Sequence, residues 1–165
     1  MRMQQVHPMS AELEKLLPLA TQWAAEQEQR ILEEGVPLSV RELADALIVG
    51  VKDPERVRLL RVDTIPAPTH PVLVAAYQAA KVPTAPRGLT IRHGVFVRAD
   101  YWRDRALILH ELVHIAQYER LGGIEKFLRQ YLLECGTDGY NKSTLECEAV
   151  AMARRVLERT ELVTA

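Results

Sequence analysis

The stretch that decides the fold spans residues 106–116 and reads ALILHELVHIA, with an H-E-x-x-H pattern at His110, Glu111 and His114. Its apolar residues predict one buried helix, from about residue 104 to residue 120. Residues four apart share a helix face, so both imidazoles point the same way, as the first two ligands of a zinc ion must. Glu111 projects to the side, where it reaches a water at the metal without binding the metal. This is the geometry of a general base.

The third zinc ligand must come from elsewhere in the chain. A catalytic zinc usually takes three protein ligands and leaves one position for water. Two of the other histidines adjoin prolines in predicted loops, and His93 falls in a predicted turn, where we expect it to be exposed. The candidates are His7, His70, His93, Asp138, Glu146 and Glu148.

Residues 145–149, LECEA, follow the first motif at a distance that resembles the gluzincin branch of zinc metallopeptidases. In that group a second helix carries a glutamate ligand in an E-x-x-A pattern, and the resemblance covers about residues 89–154. It implies zinc as the cofactor, peptides or proteins as substrates, and a strand before the active helix that pairs with an extended substrate. Many members have an aspartate where this chain has Val150, so the group that holds His110 is unassigned.

Three residues compete for the third ligand position. Glu146 and Glu148 lie two apart on a predicted helix and point to nearly opposite sides, so only one can face the metal. Glu146 matches the family spacing, and we expect Glu148 to be a solvated surface residue. Residues 136–140, GTDGY, are similar to part of the aspzincin loop, which offers Asp138 as a rival within a tight loop.

Peptide hydrolysis also requires a group that stabilises the oxyanion of the tetrahedral intermediate besides the metal. Tyr140 is our prediction, because it lies just before the helix that carries Glu146. Tyr131 is the alternative, and either ring also suits the core. In the predicted mechanism Glu111 takes a proton from the attacking water and delivers it to the leaving amine.

Two further function classes stay open. One is a zinc-binding protein of zincin fold without protease activity, in which the site is structural or the cleft is closed. The other is an interaction module, in which the N-terminal helices bind a protein partner. The long amphipathic segment 11–34 with Trp23 is the feature behind that second alternative.

Composition narrows the remaining classes. The 165 residues carry a formal net charge of −1 and 48% hydrophobic residues, which favours a globular domain. Basic and acidic residues alternate, and this excludes the basic stripe of a nucleic-acid binder. No apolar run has the length of a membrane span, and the N-terminus lacks the apolar core of a signal peptide, so we expect a cytoplasmic protein with no membrane contact.

The order of the predicted elements indicates an α+β fold that is mainly helical, with a small hairpin or sheet beside the active helix. Residues 1–65 form an N-terminal helical region, and residues 66–165 a zincin-like metallopeptidase domain, together one compact unit. A proline-rich stretch at residues 65–71 marks the boundary. We expect helices at 11–34, from Ser39, from Asp53, at 71–81, at 124–134 and from residue 144 to about 162, and a hairpin over 89–97 with glycine in its turn.

Overall fold

The computed structural model describes residues 11–164, and it confirms the mainly helical α+β class. The described residues form six helices: α1 (Ala11–Glu34), α2 (Val40–Ile48), α3 (Pro71–Ala79), α4 (Arg105–Leu121), α5 (Ile124–Asp138) and α6 (Thr144–Thr164). They also form four strands: β1 (Val36–Pro37), β2 (Arg58–Val62), β3 (Gly88–Ile91) and β4 (Gly94–Arg98). Short 3-10 turns lie at Pro54–Arg56, Ala99–Tyr101 and Tyr140–Lys142.

The four strands make one mixed sheet in the order β1-β2-β4-β3. β2 runs parallel to β4, and the outer strands β1 and β3 are antiparallel to their neighbours. The central strand β4 is paired on both edges, and β3 is an edge strand. Strands from both sides of the proline-rich stretch therefore share one sheet.

Helices cover the sheet on both faces. Val95 and Val97 of β4 belong to the main core cluster with Leu109 and Leu112 of α4. Phe96 points the other way and packs with Ile31 of α1. This is the period-two alternation of a strand that is buried on both sides, and it explains why β4 is apolar at consecutive positions.

Local signals fix both ends of α4. Asp104 is the N-cap, and its Oδ1 accepts a hydrogen bond from the Leu107 N–H at 2.9 Å. Gly122 ends the helix with φ 98°, a left-handed conformation that glycine adopts at low cost. Asp45 of α2 is buried and holds Arg105 through two hydrogen bonds of 2.8 and 2.9 Å. The helix that carries H-E-x-x-H is thus tied at its first turn to the N-terminal part of the chain.

Three predicted elements differ from the structure. The sequence predicts only helices before residue 66, but β1 and β2 lie there. The helix predicted from Asp53 is a single 3-10 turn, Pro54–Arg56, which leads into β2, and Val57 between them is fully buried. Residues 136–138 are the last turn of α5 rather than part of a loop. The helix passes through Gly136 and ends instead at Gly139, which has a φ of 82° and donates its N–H to the Cys135 carbonyl.

The hairpin turn also differs from the prediction. Arg92 and His93 form the turn, Arg92 takes the left-handed φ of 52°, and Gly94 is already the first residue of β4. Two Arg92–Glu28 hydrogen bonds of 2.8 and 2.9 Å hold this conformation. Gly94 is required for packing, because a Cβ there would lie 2.9 Å from the Ile31 Cβ.

No helix in the described part of the chain combines the length and the apolar character that crossing a membrane requires.

Candidate metal centre

The candidate ligands come together where α4 crosses α6. His110 Nε2 lies 3.1 Å from His114 Nε2, and Glu146 reaches across from α6. Its Oε2 lies 3.2 Å from His110 Nε2, and its Oε1 lies 3.4 Å from His114 Nε2. Buried Ala149 and Ala153 of α6 pack in the main core, which fixes the Glu146 end of the helix against α4.

The spacing of these three donors suits a tetrahedral ion. Ligand atoms at 2.0 to 2.1 Å from a tetrahedral zinc stand roughly 3.3 Å from one another. The His110–His114 separation of 3.1 Å is close to this value, and so are the separations of 3.2 and 3.4 Å that join each imidazole to a different oxygen of the Glu146 carboxylate. Two imidazole nitrogens and one carboxylate are also a donor set that zinc takes at catalytic sites. The residues present therefore fit a zinc ion in both chemistry and spacing.

The electrostatics of the group favour a bound cation. Burial raises the pKa of Glu146, but hydrogen bonds from His110 and His114 outweigh it and lower that pKa to about 2. Burial lowers the pKa of His114, yet the hydrogen bond to Glu146 and the charges of Glu111 and Glu146 raise it to about 9. Without a metal, a proton on His114 supplies the positive charge that the buried carboxylates attract.

Gln117 orients His114 from one helical turn further along α4. Its Nε2 donates to the Leu145 carbonyl at 3.0 Å and to Glu148 Oε2 at 2.7 Å. Both partners are acceptors, so the amide oxygen of Gln117 must be the atom 2.8 Å from His114 Nδ1. His114 then carries hydrogen on Nδ1, and its Nε2 lone pair is directed at the metal position.

Glu111 is buried outside the group of donors, and strand β3 holds it. The Thr90 hydroxyl donates to Glu111 Oε2 at 2.6 Å. Gly88 faces the same carboxylate, because a Cβ at that position would lie 2.8 Å from Glu111 Oε1. The absence of a side chain at residue 88 thus makes room for the proposed base beside the donor group.

Two tyrosines border the site. The Tyr131 hydroxyl lies 3.4 Å from Glu146 Oε1, and its ring stacks on Phe127 at 5.7 Å between centroids. Tyr140 packs edge-on against Tyr131 at 6.5 Å. Burial and the charges of Glu146 and Glu111 raise the pKa of Tyr140 above its ordinary value, so its hydroxyl stays protonated and can donate.

The other predicted ligands lie away from this group. Asp138 is exposed in the last turn of α5. The aspzincin-like prediction placed it in a tight loop, and that part of the prediction is wrong. Glu148 is not a free surface residue: Arg120 binds it through two hydrogen bonds of 2.9 Å, and it accepts from Gln117. His70 is exposed and caps α3 through its Nδ1. His7 lies outside the described residues.

The prediction that His93 is exposed is wrong. It is 6% exposed, and its Nε2 lies 3.2 Å from Glu119 Oε1. With Asp53 these residues form a second set of potential ligands. Glu119 already accepts hydrogen bonds from the backbone N–H groups of Lys52 and Asp53. We interpret this set as hydrogen bonds that connect three parts of the fold: the β3–β4 turn, α4 and the segment before β2.

An apolar cavity of about 190 Å³ opens from the donor group. His110, Glu111 and Glu146 are among its lining residues, and the other lining residues come mainly from α1, α3, the proline-containing segments beside α3, β3 and α5. His110, Tyr140 and Glu146 also border a surface groove along α6. The donor group therefore borders both a largely apolar cavity and a groove on the surface of α6.

Three positioning residues were missed by the sequence analysis, namely Gly88, Thr90 and Gln117. A signal existed for Gln117, which follows His114 by three positions and so lies on the same face of the helix. Thr90 and Gly88 depend on how β3 packs against α4, which no local pattern indicates.

Comparisons of the chain with protein-family models, with curated proteins and with solved structures find no match.

Proposed function

We propose that the protein is a zinc-dependent metallopeptidase of the gluzincin type. The observation that carries the proposal is the group of His110, His114 and Glu146, with separations that suit a tetrahedral ion and with Glu111 held beside it. Zinc bound there would supply a Lewis acid that polarises a carbonyl and makes water more acidic.

The chain's own residues supply the proton transfers. Thr90 holds Oε2 of Glu111, which leaves Oε1 to accept a proton from the attacking water and to return it to the leaving amine. Tyr140 lines both the groove and the cavity, which supports our assignment of this residue as the donor to the oxyanion. Gln117 keeps the Nε2 lone pair of His114 directed at the metal position.

The backbone of β3 offers an edge to an extended substrate. The Arg98 N–H donates to the Arg87 carbonyl, so residues 87, 89 and 91 bond to β4, and the N–H and C=O groups of residues 88 and 90 point away from it. The Thr90 carbonyl accepts a hydrogen bond from the Tyr118 hydroxyl. The groups that remain to bond a substrate are therefore the N–H and C=O of Gly88 and the N–H of Thr90. Strand β4 is paired on both edges, so of the two strands before α4 only β3 has an edge that can pair with the substrate.

Metal content tests the ligand assignment first. We expect about one zinc per chain in protein purified without chelator, and loss of that zinc in Glu146→Ala. Asp138→Ala and Glu148→Ala are matched controls that should keep zinc, the second with lower affinity because it removes a partner of Gln117. Zinc retained by Glu146→Ala, or lost only from Asp138→Ala, would contradict the ligand set.

Activity is tested with Glu111→Gln and a broad peptide library. The amide cannot accept the proton, so the variant should keep its zinc and its fold while cleavage falls by at least about 100-fold. Glu33→Gln, at an exposed position of α1, is the matched control and should cleave like wild type. Cleavage by Glu111→Gln would exclude this base. No cleavage by zinc-loaded wild type would favour a zinc-binding protein without protease activity.

A further inference from the structure

We propose that Glu134 of α5 is a positioning residue, which caps the N-terminus of α6 and thereby holds Glu146 against His110 and His114 in the arrangement that a metal requires. This inference rests on the zinc site of the proposed function. Glu134 belongs to neither the H-E-x-x-H nor the E-x-x-A pattern, so the resemblance to gluzincins assigns it no role.

The carboxylate of Glu134 accepts hydrogen bonds from the start of α6. The Ser143 hydroxyl donates to its Oε2 at 2.8 Å, and the Thr144 hydroxyl donates to its Oε1. The Leu145 N–H donates to Oε2 at 3.4 Å. The first N–H groups of a helix have no partner within the helix, so a carboxylate at this end satisfies one of them. Helix α6 is therefore capped by a residue of another helix.

The same hydrogen bonds set the charge of Glu134. Burial raises the pKa of Glu134, but hydrogen bonds from Thr144, Gln130 and Ser143 outweigh burial and hold that pKa below its usual value. Gln130 lies one turn earlier on α5, and its Nε2 donates to Glu134 Oε1 at 3.0 Å. Glu134 is therefore a carboxylate at neutral pH, and its negative charge lies beside the positive end of α6.

Two contacts connect α5 to the third ligand. The Glu146 N–H lies 3.5 Å from Ser143 Oγ, the same atom that donates to Glu134. The Tyr131 hydroxyl, three residues before Glu134 on the same face of α5, donates to Glu146 Oε1 at 3.4 Å. Helix α5 thus holds the backbone at the start of α6 through Glu134, and the Glu146 carboxylate through Tyr131.

The position of Glu146 in its helix makes it dependent on the cap. Helix α6 begins at Thr144, so Glu146 is its third residue and lies in the first turn. The ends of helices fray, and a first turn without a cap frays more. Fraying lowers the fraction of molecules in which Glu146 faces both imidazoles, and the apparent zinc affinity falls in proportion to that fraction.

Zinc affinity of variants, measured by chelator competition, tests this role. Glu134→Ala should lower the affinity about tenfold or more, and Glu134→Gln, which keeps one acceptor oxygen, should lower it less. Ser39→Ala is the matched control, because it removes the N-cap of α2, and it should leave zinc affinity unchanged. With Co²⁺ in place of zinc, the visible absorption should change in Glu134→Ala and not in Ser39→Ala, because these bands depend on ligand number and geometry.

Two further measurements separate positioning from a general loss of stability. In metal-free Glu134→Ala, the N–H groups of Leu145 and Glu146 should exchange with solvent about tenfold faster, while that of Leu112 in the core of α4 changes less. The double variant Glu134→Ala/Ser143→Ala should lose little more zinc affinity than Glu134→Ala alone, since the two residues act as one unit. Equal acceleration at all three N–H groups would overturn the inference.

The affinities give the remaining outcomes. Equal zinc affinity of folded Glu134→Ala and wild type would overturn the inference and leave the ligand set intact. If Glu134→Ala does not fold, Glu134→Gln and Ser143→Ala replace it, and wild-type affinity in both would overturn the inference. If wild type takes up no zinc, the proposed function fails, and the positioning role of Glu134 fails with it.

Discussion

At the scale of single residues, the site depends on side chains that hold other side chains. Gln117 is fully buried, and three hydrogen bonds fix its amide between His114, Leu145 and Glu148. Arg120 in turn binds Glu148. The direction of the His114 imidazole is therefore set by a series of contacts that passes through Glu148 of α6 and ends at Arg120 on the surface of α4.

Replacing Gln117 tests this positioning role. Gln117→Met keeps the shape but leaves His114 Nδ1 and the Leu145 carbonyl without partners, so zinc affinity should fall by about 10- to 100-fold. Gln117→Glu keeps an acceptor for Nδ1 and should lose less affinity, although it adds a charge beside Glu148. Chelator competition gives the affinities, and urea unfolding of metal-free protein separates any loss of stability. Equal zinc affinity of Gln117→Met and wild type would contradict the role.

Site residues divide into those that spacing reveals and those that it does not. His110, Glu111 and His114 form one local pattern, and the pairing of their side chains follows from the helix repeat. Glu146 needed a second helix, and its placement came from a family pattern. Thr90 and Gly88 touch Glu111 from a strand more than 20 residues away, and tertiary packing alone decides such contacts.

At the scale of elements, helix bounds with chemical signals were predicted well. Gly35 follows the end of α1, Ser39 and Glu42 form the capping box of α2, and Asp104 caps α4. Strand β2 was missed, since RLLRV has the composition of either a strand or a helix. Its conformation comes from pairing with β4, which is a non-local effect.

Pro18 provides a prediction for α1. It lies inside a continuous helix, where a proline removes one backbone hydrogen bond and costs up to about 3 kcal/mol. Leu16, Leu17, Ala24 and Ile31 bury one face of α1, and this packing keeps the helix whole. Pro18→Ala should raise the free energy of unfolding by about 1 to 3 kcal/mol in urea titrations.

Pro71 is the matched control for that measurement. It occupies the first turn of α3, where its fixed φ suits the helix and no hydrogen bond is lost. Pro71→Ala should therefore leave stability unchanged or slightly lower it. A Pro18→Ala protein no more stable than wild type would indicate that α1 already accommodates the proline without strain.

At the scale of the whole molecule, the sequence predicted the class of fold but not the order of the strands in the sheet. The α+β class follows from helical periodicity interrupted by two β-prone triplets. The pairing of β1 and β2, which lie within residues 36–62, with the rest of the sheet does not follow from this pattern. It depends on which strand edges pair, and that is a non-local effect. Helix α1, on one face of β4, and helix α3, which packs against α1, line the cavity at the donor group, so the N-terminal half of the chain contributes to the surroundings of the H-E-x-x-H pattern.

The global stability of metal-free protein should depend on pH through this site. The pKa of Glu146 falls from 4.5 to about 2 on folding, so its contribution is present above pH 4.5 and is lost as pH falls toward 2. The pKa of His114 rises from 6.5 to about 9, so its contribution is present below pH 6.5 and is lost as pH rises toward 9. For these two groups, stability should be highest between pH 4.5 and pH 6.5.

Bound zinc should remove the loss of stability that we expect for the metal-free protein between pH 6.5 and pH 9. The metal binds neutral imidazole, so it replaces the His114 proton, and its apparent affinity should increase as pH rises toward 9. Calorimetry in buffers of different ionisation enthalpy should detect about one proton released per zinc near pH 7.5. Urea midpoints of the metal-free protein should fall between pH 6.5 and pH 9, and those of the zinc-loaded protein should not. A metal-free midpoint that stays constant over this range, with no proton released on zinc binding, would show that His114 is neutral before the metal arrives. In that case no proton on His114 would balance the charge of the buried carboxylates before the metal binds. An ion pair between Glu146 and His114 would then not contribute to the stability of the metal-free protein at neutral pH.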